Sequence, residues 1–205
     1  MRVSPSSPAS CRRRRCQRLL ANAGAAALLL LLLGAPVAGE SDEDRRAQAG
    51  IRLFRSLLAA DLGLDDKRDE DGKLLLVIFH AGNQAHAQEL ARALAGSGAD
   101  PEPLHGLPVK IELTNDATFA IYGKHPPAGI FVSQAPGAQA LRTIVRYGID
   151  HHVVVYSPFE GDVEKGVLGG LAVEAQVRPY VNKDTLAASH IELKAFFMKV
   201  TKVYP

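Results

Sequence analysis

From residue 51 onward the apolar positions follow two rhythms that alternate along the chain. Ile51, Phe54, Leu57, Leu58 and Leu62 recur at three- and four-residue spacing and predict one amphipathic helix. The charged run from Asp65 through Asp71, closed by Gly72, breaks it and reads as a solvated loop. Leu74–Phe79 is then a short continuous apolar stretch between Gly72 and Gly82, the pattern of a strand buried on both faces. Residues 85–95 follow as a helix, with Ala87, Leu90, Ala91 and Leu94 along one side and Gly96 as its stop.

The alternation then repeats. Residues 109–113 alternate like a strand, and residues 116–122 predict a short helix. Residues 129–133 form a second buried strand, and residues 138–147 a helix carrying Leu141, Ile144 and Val145. Residues 152–156 form a third buried strand. Strands separated by helices imply right-handed crossovers and a parallel sheet. After Ser157 the rhythm changes: residues 168–176 and 177–181 read as a hairpin, giving the sheet an antiparallel edge, and helical patterns close the chain at 183–188 and 193–203. The expectation is one compact α/β domain over residues 51–205, with a mostly parallel sheet flanked by helices and a C-terminal helix.

Ahead of that domain the pattern is of a different kind. Arg12 through Arg15 and Arg18 precede an apolar run from Ala21 to Leu33, and Val37-Ala38-Gly39 offers the small residues of a signal peptidase site. Residues 1–39 therefore read as a signal peptide, cut after Gly39 or after Ala38. The alternative is a retained anchor, although the run falls short of the ~20 residues a span prefers. The polar, acidic residues 40–50 read as a flexible lead. The expected address is the periplasm, reached through a cleaved signal.

Cleavage changes the charge balance. Of the chain's 24 Lys and Arg, six arginines lie in the leading segment, leaving 18 against 22 Asp and Glu, a net charge of −4. This removes the electrostatic basis for a nucleic-acid partner. Cys11 and Cys16 leave with the signal, so the 166 remaining residues must be held by their core alone.

Ligands of open α/β sheets sit at the carboxyl ends of the strands. Those ends carry His80 with Asn83, Ser133 with Gln134, and Ser157 with Glu160, polar groups suited equally to a small polar ligand or to turns and helix caps. His80, Asn83, Ser133 and Ser157 are the candidate ligand contacts. The other histidines, His86, His105, His125, His151, His152 and His190, lack the paired spacing of a zinc site and read as ordinary surface or hydrogen-bonded residues. Glu160, Asp162 and Glu164 alternate around Gly161 without the fuller pattern of a calcium loop. With Phe159 they form a candidate docking surface for a basic partner. No nucleophile elbow, phosphate loop or dinucleotide fingerprint occurs, so neither a catalytic residue nor a cofactor nor a metal is expected.

The C-terminal stretch is similar to the YfiR-like family of periplasmic regulatory proteins. The resemblance rests on Tyr156, Ser157 and Phe159, on Gly169-Gly170-Leu171, on Arg178 through Asn182, and on the tail over residues 193–203. It implies an α/β fold and a non-enzymatic regulator that binds an inner-membrane signalling partner such as a diguanylate cyclase, in cyclic-di-GMP signalling. The cysteines through which redox-responsive members act are absent from the mature chain. A second resemblance is to one lobe of periplasmic ABC-type substrate-binding proteins, which implies a small solute-binding protein instead. Homodimerisation through the helix beginning at Ile51 is open in either case.

Overall fold

The computed structural model describes residues 41–205, so the signal segment read over residues 1–39 lies outside the described residues. Among the described residues no helix is long and apolar enough to cross a membrane.

The first helix, α1 (Asp42–Ala60), begins nine residues earlier than the apolar rhythm predicts. The segment expected to be a flexible lead is its opening turns. Ser41 and Asp44 form a reciprocal capping box, and Asp42, Glu43 and Asp44 place negative charge at the helix N-terminus. Ala47, Gly50, Ile51, Phe54, Leu57 and Leu58 then share its buried face. The polarity of residues 42–46 marks the outer face of a helix, not disorder.

Strands β1 (Leu74–Phe79), β2 (Val109–Thr114), β3 (Gly129–Val132), β4 (Val154–Tyr156), β5 (Gly169–Val173), β6 (Val177–Asn182) and β7 (Lys202–Tyr204) form one sheet in the order β2-β1-β3-β4-β5-β6-β7. The first five strands are parallel, and β6 runs antiparallel to β5. The hairpin and the antiparallel edge are thus as the pattern implies. The chain does not end on a long helix. Helix α5 (Ala195–Val200) stops at Thr201, and β7 adds to the edge beside β6. Lys202, Val203 and Tyr204 extend an apolar pattern that a single sequence reads equally well as another helical turn.

Helices α2 (Gln84–Ala95) and α3 (Ala138–Asp150) cross on opposite faces of the sheet. On one face α1 and α2 cover Leu74, Leu76, Ile78, Phe131, Val154 and Tyr156. On the other, Leu141, Ile144 and Tyr147 of α3 join Phe119 and Tyr122 over Val77, Phe79, Ile130, Val132 and Val155. The helix expected over residues 116–122 is only a 3-10 turn, Ala120–Tyr122, entered through Phe119 at φ 50°. A short helix, α4 (Lys183–Ala188), follows β6 directly.

Two glycines let α1 lie against the sheet. A Cβ at Gly129 would stand 2.8 Å from both Phe54 and Leu58, and one at Gly169 would stand 2.4 Å from Leu57. Only a residue without a side chain admits a helix this close.

Candidate functional site

The strand order places a switch point between β1 and β3, where the crossover helices diverge to opposite faces. The carboxyl ends of those strands hold the candidate ligand contacts, and most of their polar atoms are already engaged. Ser133, buried, donates its hydroxyl to the Phe79 carbonyl at 2.8 Å. Asn83 caps α2 by accepting from the His86 amide at 3.1 Å. Gln134 closes the loop after β1: its carbonyl accepts from the amides of Ala81 and Asn83, and its amide donates to the Asn83 carbonyl at 2.6 Å. Ser157 is fully buried and donates to Asp162 at 2.7 Å. His80 differs, because it is buried and its Nδ1 has no partner. The edge predicted from topology is therefore built chiefly of caps and turn locks.

The acidic loop divides in the same way. Asp162 is 4% exposed, accepts from Ser157 and from Lys165 at 3.2 Å, and belongs to the fold. Its side chain is turned into the fold and away from the exposed surface expected for it. Glu160 and Glu164 are exposed, with Phe159 half-buried beside Glu160. Asn182 ties this loop to the sheet: its amide donates to the Val163 carbonyl at 2.8 Å, and its carbonyl oxygen caps α4 by accepting from Thr185 at 2.9 Å.

A cavity of about 630 Å³ opens at the opposite, amino ends of the parallel strands. It is walled by the segment after α1 (Asp61, Leu62, Gly63), the loops entering β1 and β3, the junction of α3 with β4, and residues 190–192 after α4. Leu62, Leu75, Pro126, Pro127 and Ile191 make an apolar wall. Lys67 and the buried Asp61 pair at 2.7 Å, which locks one corner. Arg68, Lys124, Asp66 and Glu192 supply charge around the rest.

Four histidines from three separate parts of the sequence line this cavity: His125, the adjacent His151 and His152, and His190. His151 packs on Tyr147 with ring centroids 4.4 Å apart, and His152 lies 5.7 Å from His190. The His152 Nδ1 stands 2.9 Å from the Ser189 carbonyl, which fixes Nδ1 as the protonated nitrogen and leaves Nε2 toward other groups. Among the described residues no group of three or more His, Cys, Asp or Glu side chains is placed to hold a metal ion. Spacing alone does not show this gathering: His125, His151 and His152 precede parallel strands that begin at one end of the sheet, and His190 reaches the same end after α4.

The helix ends explain how two of these rings are aimed. After α3, the amides of His152 and Val153 return to the carbonyls of Ile149 and Gly148. After α4, those of His190 and Ile191 return to Ala187 and Leu186. Both are Schellman closures, in which the turning residue is left-handed and usually glycine. Here it is His152 at φ 57° and His190 at φ 51°.

The fold and cavity define a single α/β domain with a pocket of ligand size. No protein-family model matches the chain, and no curated protein matches it. Among solved structures the chain is similar to the ABC domain from Streptococcus pneumonia in complex with L-Trp, with 12% identity and a TM-score of 0.51 over 78% of this chain and 62% of that one. It is also similar to a conserved domain protein from Vibrio cholerae O1 biovar eltor str. N16961, with 12% identity and a TM-score of 0.49 over 77% of this chain and 59% of that one. At such identity the first likeness establishes the fold alone. The chain spans less than two thirds of the length of either neighbour.

Proposed function

We propose that this chain is a small, non-enzymatic solute-binding domain that holds its solute in the cavity at the amino ends of the strands. The observation that carries the reading is the cavity itself. Its volume of about 630 Å³ falls within the ~300–1,000 Å³ usual for small-molecule sites, and an apolar wall faces a few convergent polar groups. The fold is shared with a binding domain solved with L-Trp, which supports the class by analogy and says nothing of this chain's ligand. Action in the periplasm after export accords with the leading segment.

A thermal-shift screen of amino acids, amines, carboxylates and sugars tests it. A true ligand at 100 times its Kd should add about 2.7 kcal/mol of stability. Leu62→Trp fills the cavity from an exposed position, so it should abolish the shift while leaving the ligand-free melting temperature unchanged. No shift with any class, for the unmodified protein, ends the reading.

A second reading is that of a regulator docking on a membrane-bound signalling protein such as a diguanylate cyclase. Exposed Glu160 and Glu164, beside Phe159 on a loop pinned by Asn182, favour it. Crosslinking from position 165, exposed on the same loop, in intact cells should recover a membrane partner, and substituting lysine at Glu160 and Glu164 should prevent that. Recovery unaffected by the charge reversal would remove this surface from the account.

A further inference from the structure

We infer that the cavity selects a ligand carrying an ammonium group on an apolar body, and that its four histidines release this ligand on acidification. The inference rests on the solute-binding reading and assigns the class and regulation of that site. Three observations point the same way.

The first is fixed charge. With the imidazoles neutral, Lys67, Arg68 and Lys124 stand against Asp61, Asp66, Asp69 and Glu192. Lys67 and Asp61 satisfy each other, leaving two cations against three carboxylates. The second is backbone polarity. Helices α1 and α3 both end at this cavity, at Asp61 and His151, and a helix carboxyl end carries partial negative charge that favours a cation. The third is the imidazole set. His151, His152 and His190 directly follow the ends of α3 and α4 and line the cavity, where a positively charged ring would compete with a ligand cation for the same field.

His125 completes the set, with Glu70 3.8 Å away at its outer side. Protonating the four rings converts a site with a carboxylate excess into a cationic one. His152 and His190 take the left-handed conformation, as His105 does outside the cavity, where a glycine would close either helix at lower backbone cost. Leu62, Leu75, Pro126, Pro127 and Ile191 accommodate the apolar body.

Isothermal titration with phenethylamine and its charge-reversed analogue 3-phenylpropanoate tests the assignment on residues 40–205. Phenethylamine should bind near pH 8 and weaken roughly tenfold or more near pH 5.5, whereas 3-phenylpropanoate should not bind near pH 8 and should gain affinity near pH 5.5. Asp66→Asn combined with Glu192→Gln, both exposed positions, should weaken the amine roughly tenfold with the ligand-free melting temperature unchanged. His152→Asn with His190→Asn keeps residues that tolerate the left-handed backbone and should flatten the pH dependence. Preference for the carboxylate near pH 8 overturns the charge assignment while leaving the cavity a binding site. Binding of neither compound overturns the inference, and the broader solute screen then decides the cavity independently.

Discussion

Asn182 is where the C-terminal sequence pattern, the acidic loop and the last helices are joined, and its removal should be costly. The side chain is 5% exposed and fully used: Nδ2 donates to the Val163 carbonyl at 2.8 Å, and Oδ1 accepts from the Thr185 amide at 2.9 Å. Asn182→Ala loses a helix cap, about 1 kcal/mol, and one of the two donors to the Val163 carbonyl, which keeps the Gly166 amide at 3.1 Å, about 1 kcal/mol. The sum is about 2 kcal/mol. At roughly 2–4 °C per kcal/mol for a domain of this size, the melting temperature should fall by about 4–8 °C. Asn182→Asp separates the two contributions. It keeps the cap acceptor but sets a carboxylate against the Val163 carbonyl, so it should remain destabilised while α4 stays helical. Urea denaturation followed by circular dichroism gives both free energies. A loss under about 1 kcal/mol for Asn182→Ala, or full rescue by Asp, would refute the assignment of two separate bonds to this side chain.

Three further outcomes are expected. Gly170→Ala should destabilise by about 1–3 kcal/mol in the same assay, because its Cβ would meet the Ser157 backbone oxygen at 2.8 Å and Val163 at 2.6 Å, and backbone yields poorly. Tyr156→Phe should leave stability unchanged or raise it, since the hydroxyl is buried without a partner; a loss above about 1 kcal/mol would mean the hydroxyl is bonded after all. Burial raises the ionisation of Tyr156 and Tyr122 well above the phenol range and that of Tyr147 to about 12. A raised folded-state value favours the protonated form, so this stability is complete below about pH 10 and is lost as pH climbs toward the folded-state values. Phenolate absorbance should therefore rise together with unfolding above pH 10, and a transition in which these tyrosines ionise in the folded protein would contradict the burial argument.

What the sequence alone determined is the local layer. The apolar run 74–79, the strand at 129–132, the hairpin closed by residues 177–182 and the short helix at 183–188 are each specified by residues close together in the chain. The antiparallel edge follows from the same local signals. The first turns of α1 were hidden because a charged outer face and a disordered lead share one composition, and the closing strand because Lys202–Tyr204 is too short to show a period. Only the tertiary structure decided which polar groups are free. It consumed Asn83, Ser133, Ser157 and Asp162 in caps and buried bonds, and it drew His125, the adjacent pair His151 and His152, and His190 from three parts of the chain to one end of the sheet. The physical reason is that hydrogen-bond saturation and convergence depend on strand order and helix termination, which no spacing along the chain encodes.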